Sequence, residues 1–320
     1  MAEQSYETNQ TLQPKPKPKP KKRKPRLTLN QSKYLFVYAC LLVPLLFYIT
    51  IRFIPTLYTF NIGFREWNIL SPEQPFIGFE NYVALAQDPV FRKSLINTFI
   101  FIFFGVLGQV VIGLGVALLL QRINKFVGVF RVIYFIPYVT SIVAVSWVFR
   151  WLFMNNGFVN EMLVNLGLPA QLFLNSPNQA IYIIIATMVW QALGFQMVIF
   201  LAGLENIPKT FYEAAEVDGA NSWQKFKSVT FPLLNPTIVF SVVIGSINFI
   251  QVSFTQVVNM SVDSAGGPLQ STLTIVVYIY QLAFRQFSMG MASAATVILF
   301  LIVLTITIIQ MKVLSKKFDY

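Results

Sequence analysis

Six apolar runs of roughly 20 residues, almost free of charge, constrain this chain more than any other feature, because that length of helix crosses about 30 Å of hydrocarbon. They are Tyr34–Ile54, Leu95–Leu120, Val127–Phe149, Gln179–Leu204, Phe231–Val258 and Gly290–Met311. Lipid offers no hydrogen bonds to the backbone, so each run must satisfy its own, and only a helix does that within one segment. A strand barrel would show alternating segments of about ten residues instead. Of the 320 residues, 55% are apolar and 12% charged, about half the charge of an average soluble domain. The fold class expected is an all-α integral membrane protein with six transmembrane helices. Pro44, Pro137 and Pro232 lie in or beside spans 1, 3 and 5 and are read as tolerated kinks.

The basic residues orient the helices. Nine Lys and Arg fall in residues 1–33, and three each in 121–131, 205–227 and 312–317, which together hold 18 of the 24. The alternate segments hold the rest, including Arg52, Arg150 and Arg285. The positive-inside rule puts the richer set, with both termini, in the cytoplasm. Residues 1–33 form a separate tail ahead of a membrane domain spanning 34–320. The tail's "PKPKPKPKKRKPR" favours extended, self-repelling chain. Adhesion to anionic lipid or nucleic acid is one reading of it; the reading adopted is an orientation signal and solvated tether, with no nucleic-acid partner.

Several chemistries lack their residues. The chain has no His and one Cys, Cys40 in span 1, so it has neither an internal disulfide nor a Cys/His metal site. Spans 2, 4, 5 and 6 contain no Asp, Glu, Lys or Arg, whereas ion-coupled transporters carry ionisable groups at depth. No Gly-Lys dipeptide occurs, so no nucleotide P-loop exists. Gly113 and Gly115 form a fragment of a dinucleotide pattern, but inside an apolar helix they read as a packing surface. Uphill transport by this chain would need energy from another.

One stretch breaks the apolar pattern. "YEAAEVDGANSWQKFKSVTFPLLNP", residues 212–236, sets Glu213, Glu216 and Asp218 between spans 4 and 5. Pro208 suits a first helical turn, and Gly219 suits a left-handed turn that ends the helix. Ser222 can cap a second short helix, on which Trp223 and Phe226 share a face. The expected result is a helix–turn–helix on the cytoplasmic face over about 205–231.

Glu213-Ala214-Ala215, Gly219 after three intervening residues, and Val229-Thr230-Phe231-Pro232 after nine more together resemble the "EAA" signature of bacterial ABC-transporter permeases. Val229 and Phe231 depart conservatively from that family's Ile-x-Leu-Pro. "FREWNILSPEQPFIGFENYVAL", "FRVIYFIPYVTSIVAVSWVFRWLF", "AGGP" at 265–268 and "LTIVVYIYQLAFRQFSMGMASAATVILF" extend the resemblance to the carbohydrate (maltose/glycerol-3-phosphate) subfamily, over nearly the whole chain after the tail. The resemblance implies a type I importer permease fold in the bacterial inner membrane. It also implies that Glu213, Ala214, Ala215, Asp218, Gly219 and Pro232 couple the chain to a cytoplasmic ATPase. The implied partners are a second permease, two ATPase subunits and an extracytoplasmic solute-binding protein. ATP and Mg would then sit on the ATPases, leaving this chain without cofactor or catalysis.

The spans also offer neutral hydrogen-bonding groups. Span 5 carries Ser241, Gly245, Asn248, Gln251 and Thr255 at helical spacing, and span 4 carries Trp190, Gln191, Phe195 and Gln196. Amides for hydroxyls and aromatic faces for sugar rings suit a neutral polyhydroxylated solute, although such groups also glue helices together. The resemblance places solute contacts near Trp190, Gln191, Phe195, Asn248 and Gln251. The absence of a cation in four spans argues against a phosphate ester. Residues 271–287 are expected as an outer-face surface helix, since a seventh span would export the C-terminal lysines. A stand-alone channel would need no docking loop, and a membrane enzyme would need clustered ionisable groups.

Overall fold

The computed structural model describes residues 29–123, 125–263 and 265–314, all but a few of which are helical or in short connections. The tail up to Thr28 lies outside the described residues, while residues 29–33 already belong to the first helix. The chain divides into two compact units, residues 1–55 and 56–320. The described part of the first is α1 (Leu29–Tyr48) followed by a π-helical segment, Ile49–Phe53. The second opens within α2 (Ile54–Ile62) and continues through α3 (Glu80–Gln87), α4 (Pro89–Gln121), α5 (Val127–Val139), α6 (Ile142–Leu152) and α7 (Phe158–Asn165). Then follow α8 (Ala180–Glu205), α9 (Lys209–Val217), α10 (Ser222–Lys225), α11 (Phe231–Leu233), α12 (Asn235–Met260), α13 (Ile275–Phe284) and α14 (Met289–Leu314). Among the described residues only isolated bridges, such as Asn68 with Ser288, represent β-structure.

Among the described residues, five stretches are long and apolar enough to span a membrane: Lys33–Ile62, α4, α8, α12 and α14. The expected third span is instead a broken one. α5 and α6 meet at 92°, and the break falls at Thr140 and Ser141, three residues after Pro137. Pro137 itself sits inside α5. Its carbonyl accepts the Thr140 N–H in a tight turn, after which the backbone is extended.

Prolines act elsewhere too. The two π segments, Ile49–Phe53 and Phe226–Thr230, each end two residues before a proline, Pro55 and Pro232. A proline ring clashes with the carbonyl four residues back, and a widened turn moves that carbonyl aside.

The core of the second unit is the contact of α4, α8 and α12, where glycines let the helices close. A Cβ at Gly105 would lie 2.1 Å from the Phe249 ring, and one at Gly113 would lie 2.7 Å from Gln196 Cβ. Gly113 thus packs as expected, whereas a Cβ at Gly115 would meet nothing within 4 Å. Cys40 is exposed on α1.

The end of the second unit at which α12 finishes is closed by a cap from residues 259–263 and 265–290. α13 is only 10 residues long, short of a span as expected, and packs on the rest of the unit by burying Ile275, Val277, Tyr278, Leu282 and Ala283. Side chains from helix ends satisfy the cap's backbone. Asn97 Nδ2 donates to the carbonyls of Gln270 (3.0 Å) and Leu273 (2.9 Å), and Thr98 Oγ1 accepts from Ile275 N at 2.9 Å. Asp88 caps α4 by accepting from Val90 N, while its other oxygen accepts from the Tyr278 hydroxyl. Burial first, and then that bond and the Asp88 charge, hold the Tyr278 phenol well above its ordinary pKa.

Candidate functional site

The polar loop folds by local rules. α9 ends in a Schellman turn: Gly219 is left-handed (φ +74°), its N–H donates to Glu216 O at 3.0 Å, and Ala220 N donates to Ala215 O at 2.9 Å. α10 is capped by Asn221, one residue before the expected Ser222. The Asn221 and Gln224 side chains each accept from the other's backbone N–H, at 3.0 and 2.8 Å, as a capping box. Pro208 is the residue before α9 rather than inside its first turn. Trp223 and Phe226 stack at 5.5 Å. Lys225 Nζ pairs with Glu216 at 2.6 Å, and Tyr212 shares a hydrogen bond with Thr230 at 3.1 Å, tying α9 to the segment that enters span 5.

The rest of the loop's chemistry points away from the chain. Glu213, Ala214 and Asp218 are exposed, and the Glu213 and Asp218 side chains have no hydrogen-bond or ion-pair partner among the described residues. Val217 is 89% exposed and Trp223 69%. Pro232 begins span 5 as part of α11.

A second polar feature lies among the spans. A cavity of about 510 Å³ is lined from α4 by Gln109, from α8 by Gln191, Phe195 and Gln196, from α12 by Asn248 and Gln256, and from the α5–α6 break by Tyr138 and Thr140. No Asp, Glu, Lys or Arg lines it. Tyr138 and Phe195 stack at 5.0 Å with an interplanar angle of 12°, making an aromatic wall. The amides are ordered. Gln191 Nε2 donates to Thr140 O at 3.2 Å, Gln256 Nε2 donates to Gln191 Oε1 at 2.8 Å, and Ser241 Oγ donates to Gln196 Oε1 at 2.6 Å. Two polar atoms are buried without a partner, the donor Gln109 Nε2 and the acceptor Gln256 Oε1. Gln109 lies against Gly245, where a Cβ would come within 1.6 Å of its amide nitrogen. A buried polar atom left unpaired costs about 1–3 kcal/mol unless water or a solute pairs it.

Of the five expected solute contacts, the structure gathers Gln191, Phe195 and Asn248 at this cavity. Trp190 faces a different, apolar hollow with Phe104 and Tyr182, and its ring lies 5.0 Å from Phe149. Gln251 lines a hollow with Phe254, Val276 and Phe300. Gln109, Gln256, Tyr138 and Thr140 were not singled out from the sequence. For Gln256 a signal exists: it follows Gly245 by 11 residues, which returns to within about 20° on a helix, whereas Gln251 lies about 120° away. No group of three or more His, Cys, Asp or Glu able to hold a metal exists among the described residues.

Comparison with known proteins gives this geometry a family. The chain is 38% identical over 238 residues to a lactose transport system permease of Rhizobium radiobacter, covering 73% of this chain and 78% of that one. To a sulfoquinovosyl glycerol transport system permease of Agrobacterium fabrum it is 35% identical over 243 residues, 76% and 78% of the two chains. Its fold matches a chain of a bacterial ABC transporter that imports the acidic polysaccharide alginate, with a TM-score of 0.78 and 25% identity over 89% of this chain and 96% of that one. Residues 109–320 match the binding-protein-dependent transport system inner membrane component. The chain belongs to that family: it is a membrane-spanning permease subunit of an ABC importer.

Proposed function

We propose that this permease forms one half of the membrane path for a neutral, sugar-like solute, with a second permease supplying the other half. The observation that carries the reading is the cavity: amides and a stacked Tyr138–Phe195 wall, with no charge among its lining residues. A carboxamide serves a hydroxyl as donor or acceptor, and aromatic rings pack on the apolar faces of sugars. The volume, about 510 Å³, falls in the range of small-ligand sites, roughly 300–1,000 Å³. The names of the lactose and sulfoquinovosyl glycerol permeases support a sugar-like solute. An acidic polymer such as alginate would meet no cation here.

The same reading assigns the polar loop. Glu213, Ala214, Ala215, Asp218 and Gly219 form the surface on which a separate ATPase docks, with Pro232 anchoring the loop to span 5. Hydrolysis of ATP with Mg then belongs to that partner, and an extracytoplasmic binding protein delivers the solute at the cap. Both termini are cytoplasmic.

Calorimetry on the cognate binding protein tests the solute class, with neutral di- and trisaccharides set against a uronic-acid oligosaccharide. Binding of a neutral sugar, with uptake of that sugar by the reconstituted complex, is expected. Binding and uptake of the acidic oligomer alone would overturn the assignment.

A further inference from the structure

The two halves of the broken span are carried by different helices. α5 lies against α8 so closely that a Cβ at Gly194 would be 2.3 Å from Tyr134 O and 2.6 Å from Phe135 Cα. α6 is bonded to α12, where Arg150 Nη1 donates to Asn259 O at 3.1 Å at the helix end whose unpaired carbonyls attract a cation, and it meets α8 through the Phe149–Trp190 ring contact. Motion of α8 against α12 therefore bears on the turn at Thr140–Ser141. Local side chains do little to fix the angle there, which is held in the backbone by the Thr140 N–H to Pro137 O turn at 3.3 Å. Ser141 precedes α6 without a side-chain cap, and the Thr140 hydroxyl is spent on Ile136 O at 2.8 Å.

One buried chain of amides does cross the gap. Gln256 on α12 donates to Gln191 on α8, which donates to the Thr140 carbonyl at the break. Gln256 is 0% and Gln191 8% exposed, and bonds between buried amides are stronger than exposed ones. The far end of the chain, Gln256 Oε1, has no partner. The resting arrangement thus leaves an acceptor whose cost is recovered in any rearrangement that supplies a donor. α8 then runs on from Gln191 to Glu205, where Arg131 of α5 pairs at 2.9 Å, and α9 begins at Lys209. The break and the polar loop are attached to the same rod.

We propose that Gln191 is a positioning residue that holds the α5–α6 break at its resting angle, that Gln256 orients it, and that the break is a hinge released in the transport cycle. The inference rests on the cavity being part of the solute path.

The test uses the full transporter in nanodiscs with Cys40→Ser and spin labels at Val132→Cys on α5 and Val148→Cys on α6, both exposed. Distances are read at rest and after trapping with ATP and vanadate. The parent should show one resting distance and a second, trapped one. Gln191→Met should shift the resting population toward the trapped distance about five-fold, the factor carried by one net hydrogen bond. Gln256→Met should shift it less, and the double variant should match Gln191→Met, since the two act in series. A purely structural Gln191 would lower the unfolding midpoint without moving the resting distances, and that outcome overturns the proposal. So does a parent distance that trapping leaves unchanged, or an additive double variant. Uptake by Gln109→Met is read separately: an unaltered KM there would remove the cavity from the solute path while leaving the label distances to judge the hinge.

Discussion

The two ends of the second unit handle the same problem, polar backbone and charge beside a membrane, in opposite ways. In the cap nearly every named polar side chain is used inward. Asn97 serves two carbonyls, Thr98 one amide, and Asp88 both a helix end and Tyr278. Asn81 likewise donates to Gly63 O at 3.0 Å and Arg65 O at 2.9 Å, and Lys93 Nζ to Leu269 O at 2.6 Å. The polar loop satisfies its backbone with a Schellman turn and a capping box, then leaves Glu213, Asp218, Val217 and Trp223 outward. A surface that is internally bonded and externally unspent fits the docking role proposed for it, whereas the cap's polar groups are spent on the chain itself.

The comparison breaks first at Glu213. Glu213→Lys reverses an exposed charge and removes no intramolecular bond, so the unfolding midpoint should stay unchanged. ATPase co-purification should fall by about tenfold or more, and uptake with it. Gly219→Val should give the same loss by another route, since a β-branched residue at φ +74° costs about 1–3 kcal/mol of backbone strain. Full uptake and unchanged ATPase association in Glu213→Lys would reduce the loop's acids to solvated charges.

The cap should respond with the reverse pattern. Asn97→Leu leaves two loop carbonyls without their donor, at about 1–3 kcal/mol each. The midpoint of thermal unfolding of the purified complex should drop, with ATPase still bound to what remains folded. Loss of ATPase at an unchanged midpoint would mean that cap and loop are not separate devices.

How far the sequence carried this contrast depends on whether the signal was local. The span from Gln179 to Leu204 emerged as Ala180–Glu205 and that from Gly290 to Met311 as Met289–Leu314, because apolar runs report helices directly. The loop was readable because its turn, Gly219, is a one-residue requirement. The break at Thr140 was hidden, since "YFIPYVTSIVAV" is apolar on both sides and Pro137 drew attention three residues early. The cavity was half legible. Asn248 and Gln191 sat in visible stripes, but the partner of Gln191 proved to be Gln256, and Gln109 comes from a helix 80 residues away. Which faces meet across helices is a tertiary fact, and periodicity cannot supply it.

A subtler difference concerns pH. With its phenol raised by burial and Asp88, Tyr278 favours the folded state as long as it is protonated. That contribution is fully present below the unfolded value, about 10, and is lost as pH rises beyond it. The unfolding midpoint should therefore fall between pH 9.5 and 11 more steeply in the parent than in Tyr278→Phe, and that variant should cost about 1 kcal/mol at pH 8. Parallel pH profiles would mean that the Tyr278–Asp88 bond contributes nothing to the cap.

The smallest effect is expected at the one ion pair the loop does make. Lys225 and Glu216 lie 2.6 Å apart, but the glutamate side chain is 65% exposed and the lysine 22%, so water screens the pair. Lys225→Ala should change stability by less than about 1 kcal/mol. The shape of α9 and α10 should persist, because Gly219, the capping box and the Tyr212–Thr230 bond do not depend on it. The functional consequence has a definite sign. Freeing Glu216 adds a third unpaired acid beside Glu213 and Asp218, which should strengthen attraction to a basic partner groove at low salt. ATPase retention in Lys225→Ala should thus equal or slightly exceed that of the parent at 50 mM salt and converge with it at 500 mM. A clear loss of ATPase at both salts would show that Lys225 itself touches the partner, and the docking surface would then have to be redrawn to include α10.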